Sequence, residues 1–132
     1  GAKRALLLPV SAPFHCALMT PAAEAMRQAL DTVTIKPPKA PLVANVLASA
    51  ITDPAEIRTC LVEQVTGSVR WRESVAYMAE HGVDSFYELG AGKVLAGLVK
   101  RIAAGVSAAS VGTPADVAAY VAAHTQGGAA AP

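Results

Sequence analysis

The first group in the sequence that could do acid–base chemistry is His15. It stands in the stretch VSAPFHCALM, where Pro13 and Phe14 precede it and apolar residues at helical spacing follow it. Histidine is the side chain that enzymes use most often to move protons, and loops that leave strand ends collect catalytic groups in α/β folds. The alternative is a histidine at a helix end that bonds a nearby carbonyl. The position favours His15 as a general base.

No nucleophile for this base is evident in the 132 residues. The GxSxG motif, which lifts a serine off a strand into a helix, does not occur. Cys16 adjoins His15, but neighbouring side chains rarely point at each other, so we expect no Cys–His pair. Cys16 and Cys60 also lack CxxC spacing, which indicates no metal site and suits a reducing cytoplasm. His81 and His124 are interpreted as surface residues at helix ends.

A second candidate site is the glycine-rich turn GAGK, residues 90–93, between a predicted strand and a predicted helix. Such a turn can cradle a phosphate on the amides of the helix N-terminus. The turn matches neither GxxxxGK[ST] nor GxGxxG, because Val94 and Leu95 follow it. We therefore favour a tight turn whose glycines let strand and helix pack closely, with an anion site as the alternative.

The composition predicts one ordinary domain with a helix-rich core. Of 132 residues, 53% are hydrophobic, many of them alanine, and the net charge is +1 with no long run of one sign. Nucleic acid binding needs a concentrated basic face, so it is not expected. No stretch of about 18 apolar residues is present, so no membrane span is expected. We see no signal peptide and expect a cytoplasmic protein.

Hydrophobic spacing and turn residues predict strands that alternate with helices, and so an α/β fold with a mostly parallel sheet. Asp53 as cap and Pro54 as first residue are a strong helix start, and Thr113 with Pro114 is another. The predicted strands are residues 5–9, 42–47, 85–89 and 106–111. The predicted helices are residues 18–33, 54–65, 71–82, 94–102 and 114–124.

Four blocks of the sequence resemble the C-terminal half of the malonyl-CoA:acyl carrier protein transacylases, which load malonate for fatty acid synthesis. The blocks are ALLLPVSAPFHCALMTPAAEAM at residues 5–26, PLVANV at 41–46, LVEQVTGSVRWRESVAYM at 61–78 and YELGAGKVLAGLVKRI at 87–102. Their order and spacing agree with the family over nearly the whole chain up to about residue 112. Four matching blocks are far more specific than any single motif.

The resemblance implies an architecture as well as a family. Its members have an α/β-hydrolase-like large subdomain and a small ferredoxin-like subdomain. By that layout residues 1–9 would hold the last strand of the small subdomain, and residues 10–124 would form the C-terminal part of the large one. We expect residues 125–132 to form a disordered tail.

The resemblance also implies a ping-pong reaction without a bound cofactor. A serine in a GHSxG motif attacks malonyl-CoA, and the malonyl group then passes to the phosphopantetheine thiol of acyl carrier protein. His15 matches the family's general base, and the backbone carbonyl of Gln64 matches the group that orients its imidazole. Phe14 matches a position that bears on the choice of acyl group, with a core-filling role as the alternative.

This chain lacks both the GHSxG serine and the arginine that grips the malonyl carboxylate, which the family carries in its N-terminal half. We therefore expect the chain alone to be inactive and the missing half of the same enzyme to be its partner. One alternative is a non-catalytic module that binds carrier protein. Another is an acyltransferase fragment of a polyketide synthase. The charges available to such a module are Lys3, Arg4, Lys93, Lys100 and Arg101.

Overall fold

Five α-helices and four short strands make up the part of the chain that the structure describes, a computed structural model covering residues 5–7, 10 and 12–125. The chain divides into two units, Gly1–Ser74 and Val75–Pro132. The helices are α1 (Thr20–Asp31), α2 (Pro54–Glu63), α3 (Trp71–Glu80), α4 (Val94–Ile102) and α5 (Pro114–Thr125). The strands are β1 (Leu42–Ala44), β2 (Ser49–Ile51), β3 (Ser85–Leu89) and β4 (Ser107–Val111).

The first unit is built on a short hairpin covered by α2. Strands β1 and β2 pair antiparallel, with Leu42 opposite Ile51. The chain reverses between them through Ala48, whose φ of 54° is unusual for a residue with a side chain. Apolar residues of the hairpin and of α2 form the core of this unit. They are Ala44, Ile51, Ile57 and Cys60, with Ile35, Val46, Leu47 and Leu61 packed against them.

Helix α2 begins where the sequence predicts. The Asp53 carboxylate accepts hydrogen bonds from the amides of Ala55 and Glu56, both at 2.9 Å, and Pro54 occupies the first turn. A capping carboxylate satisfies amides that the first turn leaves without partners. Helix α1 likewise has a proline in its first turn, as predicted. The buried surface of α1 is small, because Ala23 is its one buried residue.

The second unit contains a parallel strand pair. Strand β3 runs beside β4 in register from Ser85 opposite Ser107 to Leu89 opposite Val111. Helix α4 packs against both strands, and its Val99 is only 2% exposed. Along β3 the side chains alternate, so that Glu88 bonds the start of α4 while Tyr87 contacts α5.

Several predicted elements are confirmed, and two predictions are wrong. Strand β3 has the predicted ends, and all five predicted helices are present in the described chain. The predicted buried strand over residues 5–9 is absent from Ala5–Leu7, which are irregular and exposed, since none of the described strands lies beside them to pair their backbone groups. Leu8, Pro9 and most of the predicted tail lie outside the described residues.

The expected mostly parallel sheet is correct for only one of the two strand pairs in the described chain. The hairpin partner β2 was not predicted, and it makes the first pair antiparallel. An α/β chain with one parallel and one antiparallel pair is therefore the observed architecture. None of the helices between Thr20 and Thr125 combines the length and the apolar character that crossing a bilayer requires.

Candidate active site

The loop before α1 holds His15 in a conformation that few residues with side chains adopt. Its φ is 54°, in the left-handed region. Two local hydrogen bonds fold the loop: the amide of Phe14 donates to the Ala12 carbonyl at 3.0 Å, and the Cys16 thiol donates to the Pro13 carbonyl at 3.3 Å. Backbone of this kind concentrates at functional sites, where the surrounding structure maintains it.

The imidazole of His15 reaches the end of α2. Its Nδ1 lies 2.8 Å from the backbone oxygen of Gln64, 49 residues away in the chain. Gln64 is the residue that ends α2, and no backbone amide in the described chain donates to its carbonyl. The last carbonyls of a helix lack partners within the helix, which leaves this oxygen available.

This contact fixes the form of the neutral ring. A carbonyl oxygen only accepts hydrogen bonds, so Nδ1 carries the proton and Nε2 is left with its lone pair. No other described residue forms a hydrogen bond with the ring, and His15 is exposed to solvent. Nε2 can therefore accept a proton from a hydroxyl brought to it.

The turn after α2 is tied to the hairpin by Arg70. Its amide donates to the Asn45 carbonyl at 3.0 Å, and its Nη1 donates to the Leu47 carbonyl at 3.0 Å. Its Nε donates to the carboxylate of Glu73. Sequence reasoning did not single out Arg70, because its partners are mostly main-chain oxygens more than 20 residues away.

The other candidates from the sequence form no hydrogen bond with the His15 ring in the described chain. Phe14 is 61% exposed, so it does not fill a core in the described chain. His81, directly after α3, bonds the carbonyl of Tyr77, and His124 bonds that of Tyr120 within α5. Both are exposed, as predicted.

The Cys60 thiol is not an activated nucleophile. Burial raises the pKa of Cys60, and the nearby carboxylates of Glu63 and Glu56 raise it further. A thiol with a raised pKa stays protonated and is a weak nucleophile. Among the described residues, no three side chains of His, Cys, Asp or Glu gather closely enough to hold a metal ion.

The GAGK segment is a tight turn whose helix amides are already occupied. Gly90 and Gly92 have φ angles of 127° and 106°, which favour glycine. The carboxylate of Glu88 accepts hydrogen bonds from the amides of Ala96 at 2.8 Å and Leu95 at 3.2 Å. An external phosphate would have to displace this carboxylate, so the structure agrees with a tight turn. A Cβ at Gly90 or Gly92 would meet no atom of the described chain within 4 Å, so the positive φ angles, and not the expected close packing of strand and helix, favour glycine here.

Replacing Glu88 with glutamine should weaken the start of α4 in a pH-dependent way. The amide of Ala96 and, less strongly, that of Leu95 hold the pKa of Glu88 below its usual range. A lowered pKa in the folded state means that the unfolded state binds the proton first, so this stabilisation is full above about pH 4.3 and is lost as the pH falls through the folded value. We expect Glu88→Gln to lower the Tm by a few degrees at pH 7.

The measurement is the Tm of both proteins between pH 7 and pH 3. The difference between them should shrink as the pH falls from the ordinary pKa of a glutamate towards the lower folded value, because the unfolded state binds the proton first, and it should be small once the native carboxylate is protonated as well. Glu80→Gln is the control, since Glu80 is an exposed helical residue. A difference in Tm that stays constant over the whole range would contradict the prediction.

The fold of the chain resembles part of solved malonyltransferases. The acyl-carrier-protein S-malonyltransferase of Bartonella henselae is 51% identical with a TM-score of 0.82, over 93% of this chain and 39% of that one. A malonyl-transacylase solved in complex with a type II PKS acyl-carrier protein is 42% identical with a TM-score of 0.81, over 94% of this chain and 40% of that one. No protein-family model matches the chain.

The chain is also similar in sequence to curated proteins, which are named malonyl CoA-acyl carrier protein transacylases. The malonyl CoA-acyl carrier protein transacylase of Salmonella typhimurium is 48% identical over 119 residues, which is 90% of this chain and 38% of the relative. The corresponding Bacillus subtilis protein is 47% identical over 77% of this chain and 32% of its own length. The resemblance is confirmed: the chain is a homologue, of partial length, of the malonyl CoA-acyl carrier protein transacylases.

Proposed function

We propose that this chain supplies the general base of a malonyl-CoA:acyl carrier protein transacylase. The observation that carries the proposal is the 2.8 Å contact between Nδ1 of His15 and the backbone oxygen of Gln64. The similarity to transacylases over about nine tenths of the chain supports it. Because the chain spans only 38% of that relative, the nucleophile is assigned to a part of the enzyme outside these 132 residues.

The reaction divides into two half-reactions that use the same base. In the first, a serine hydroxyl attacks the thioester carbonyl of malonyl-CoA while Nε2 of His15 takes its proton. The tetrahedral intermediate then collapses, the C–S bond breaks, and the imidazolium returns the proton to the departing thiolate of coenzyme A. In the second, the phosphopantetheine thiol of acyl carrier protein loses its proton to His15 and attacks the serine ester. The C–O bond of the ester then breaks, and the imidazolium returns the proton to the serine oxygen, which restores the hydroxyl.

The Gln64 carbonyl orients the ring without supplying a full charge. A hydrogen bond at Nδ1 holds the tautomer whose Nε2 accepts the proton, which is the orienting role that an aspartate has in a Ser-His-Asp triad. A carbonyl dipole stabilises the imidazolium less than a carboxylate does. This weaker stabilisation of the imidazolium is sufficient here, because coenzyme A leaves as a thiolate, which is a better leaving group than an amine.

Phe14 is assigned to the acyl side of the site. Its ring immediately precedes His15, and its exposure leaves it free to contact a substrate. A bulky ring there leaves little space for an α-methyl group, which fits malonyl better than methylmalonyl.

The fold assignment that goes with this function is the C-terminal part of an α/β-hydrolase-like large subdomain. The expected cytoplasmic location fits a role in fatty acid synthesis.

A chimera tests the function directly. The 119 residues of the Salmonella typhimurium transacylase that align with this chain are replaced by the matching residues of this chain. We expect the chimera to transfer labelled malonyl from malonyl-CoA to phosphopantetheinylated acyl carrier protein. Circular dichroism and a thermal melt establish that it is folded, and a folded chimera without transfer activity would overturn the proposal.

One observation favours the second candidate, a module that binds carrier protein without catalysis. Lys93 and Lys100 line the same groove, of about 300 Å³, beside β4. Two ammonium groups on one helix face suit an acidic partner. Titration of the 132-residue chain with acyl carrier protein discriminates the two candidates: tight binding by the chain, together with an inactive chimera, favours the module.

A further inference from the structure

Two hydrogen bonds connect the segment that carries His15 with α2 in the described chain. At one end of α1, Nδ1 of His15 bonds the backbone oxygen of Gln64 at 2.8 Å. At the other end, Nη2 of Arg58 donates to the backbone oxygen of Val33 at 2.6 Å. Helix α1 lies between these two attachments, since it spans Thr20–Asp31. The hydrogen bond between Arg58 and Val33 therefore helps to determine where the end of the segment that carries His15 lies.

Within the described chain, apolar packing holds α1 only weakly. Ala23 is its one buried residue, and the methyl group of an alanine contributes little hydrophobic stabilisation. Large apolar side chains of the segment remain in solvent, with Leu18 74% and Met26 39% exposed. Directional contacts consequently have a larger share in fixing α1 than they would have on a well-buried helix.

The length of α1 amplifies any error at the Arg58 end. Twelve residues at about 1.5 Å each make a rod of about 18 Å, so a tilt of about 5° displaces the opposite end by about 1.6 Å. That displacement is enough to break a hydrogen bond of 2.8 Å. Misplacing a catalytic group by about 1 Å can lower a rate by about 10²-fold.

We propose that Arg58 is a positioning residue for the general base: its hydrogen bond to Val33 fixes α1 on α2 and thereby keeps the His15 ring against the Gln64 carbonyl. This rests on the proposed function for its catalytic consequence, while its structural part concerns the chain itself. Arg58 touches neither of the groups that form the site, so its effect is transmitted through α1.

The surroundings of Arg58 allow its positioning role to be separated from its effect on stability. Its Nη1 is shielded from solvent and has no hydrogen-bond partner among the described residues. A buried donor without a partner destabilises the fold. An apolar residue of similar length removes that donor, and the stability gained in this way offsets part of the stability lost with the hydrogen bond to Val33. Arg58→Met keeps the long aliphatic stem and removes the whole guanidinium group, including Nη1 and Nη2. We expect its Tm to stay close to that of the parent chain.

The first test measures the His15 ring in the 132-residue chain labelled with ¹⁵N on histidine. In the parent, the imidazole spectrum should show a proton on Nδ1 that exchanges slowly with water, because it is bonded to Gln64. Arg58→Met should make this proton exchange at least about tenfold faster with little change in Tm, whereas Arg58→Lys, which keeps a donor, should restore part of the protection. Arg72→Met is the matched control, since Arg72 is exposed.

The second test measures the same variants in the active chimera. We expect Arg58→Met to lower kcat about 10- to 100-fold with little change in the KM for malonyl-CoA. An unchanged Nδ1 signal in folded Arg58→Met would overturn the proposal, as would an equal loss in Arg72→Met. If Arg58→Met melts below the measuring temperature, Arg58→Gln is compared in its place. An inactive parent chimera contradicts only the proposed function, because the first test uses no activity.

Discussion

Replacing His15 with alanine in the active chimera is expected to lower malonyl transfer by about 10³-fold, within the range of about 10² to 10⁴ that a positioned general base contributes. The variant removes the group proposed to take the serine proton and should leave binding of malonyl-CoA largely intact. The loss should therefore appear in kcat, with a small change in KM. Steady-state transfer of labelled malonyl to acyl carrier protein measures both quantities.

His81→Ala is the matched control for this prediction. His81 is also exposed, and its Nδ1 also lies against a backbone carbonyl, that of Tyr77 at 2.7 Å. Loss of a histidine with these properties should leave the transfer rate within about twofold, because surface substitutions change little. Equal losses in the two variants, or full activity of His15→Ala, would refute the role assigned to His15.

Replacing Ile57 with alanine is expected to destabilise the chain by about 2–5 kcal/mol, the range for removing most of a buried isoleucine side chain. Ile57 is 7% exposed and belongs to the core cluster with Ala44, Ile51 and Cys60. The truncation removes apolar contacts and leaves a cavity between the hairpin and α2. Urea denaturation followed by circular dichroism measures the free energy of unfolding.

Leu18→Ala is the control for the Ile57 prediction. It removes a side chain of similar size that is already 74% exposed, so its effect should be within about 0.5 kcal/mol. If Ile57→Ala were as stable as Leu18→Ala, the core described for the first unit would be wrong. Because α2 ends at the carbonyl that faces His15, a measurable weakening of the His15–Gln64 contact should accompany the loss of stability.

The sequence was most informative where local chemistry determines the local structure. Asp53 and Pro54 predict the start of α2 because a carboxylate followed by proline satisfies the first turn from within the segment. Strand β3 was recognisable in SFYEL, which is bounded by polar and glycine-rich turns. Strand β2 was missed because it has three residues and follows Ala48, which gives none of the usual turn signals despite its positive φ.

Long-range contacts account for most of what the residues alone did not reveal. The type and setting of His15 predict a base, whereas Gln64 was reached only through family resemblance, because a contact made by a backbone oxygen does not depend on the type of side chain. The bond from Arg58 crosses 25 residues to another backbone oxygen, so no spacing rule identifies it. Glu88 caps α4 from the preceding strand, outside the usual capping position.

Because the contact with His15 is made by a backbone oxygen, it has a consequence for which substitutions position 64 tolerates. Every amino acid supplies the same oxygen, so a change of codon 64 alters the side chain and preserves the atom that contacts the imidazole. Saturation mutagenesis should therefore find this position permissive to most replacements, although it borders the base directly. Selection would act instead on the residues that fix the backbone conformation around position 64. A screen for positions that tolerate no substitution would therefore miss Gln64, although its backbone oxygen contacts His15.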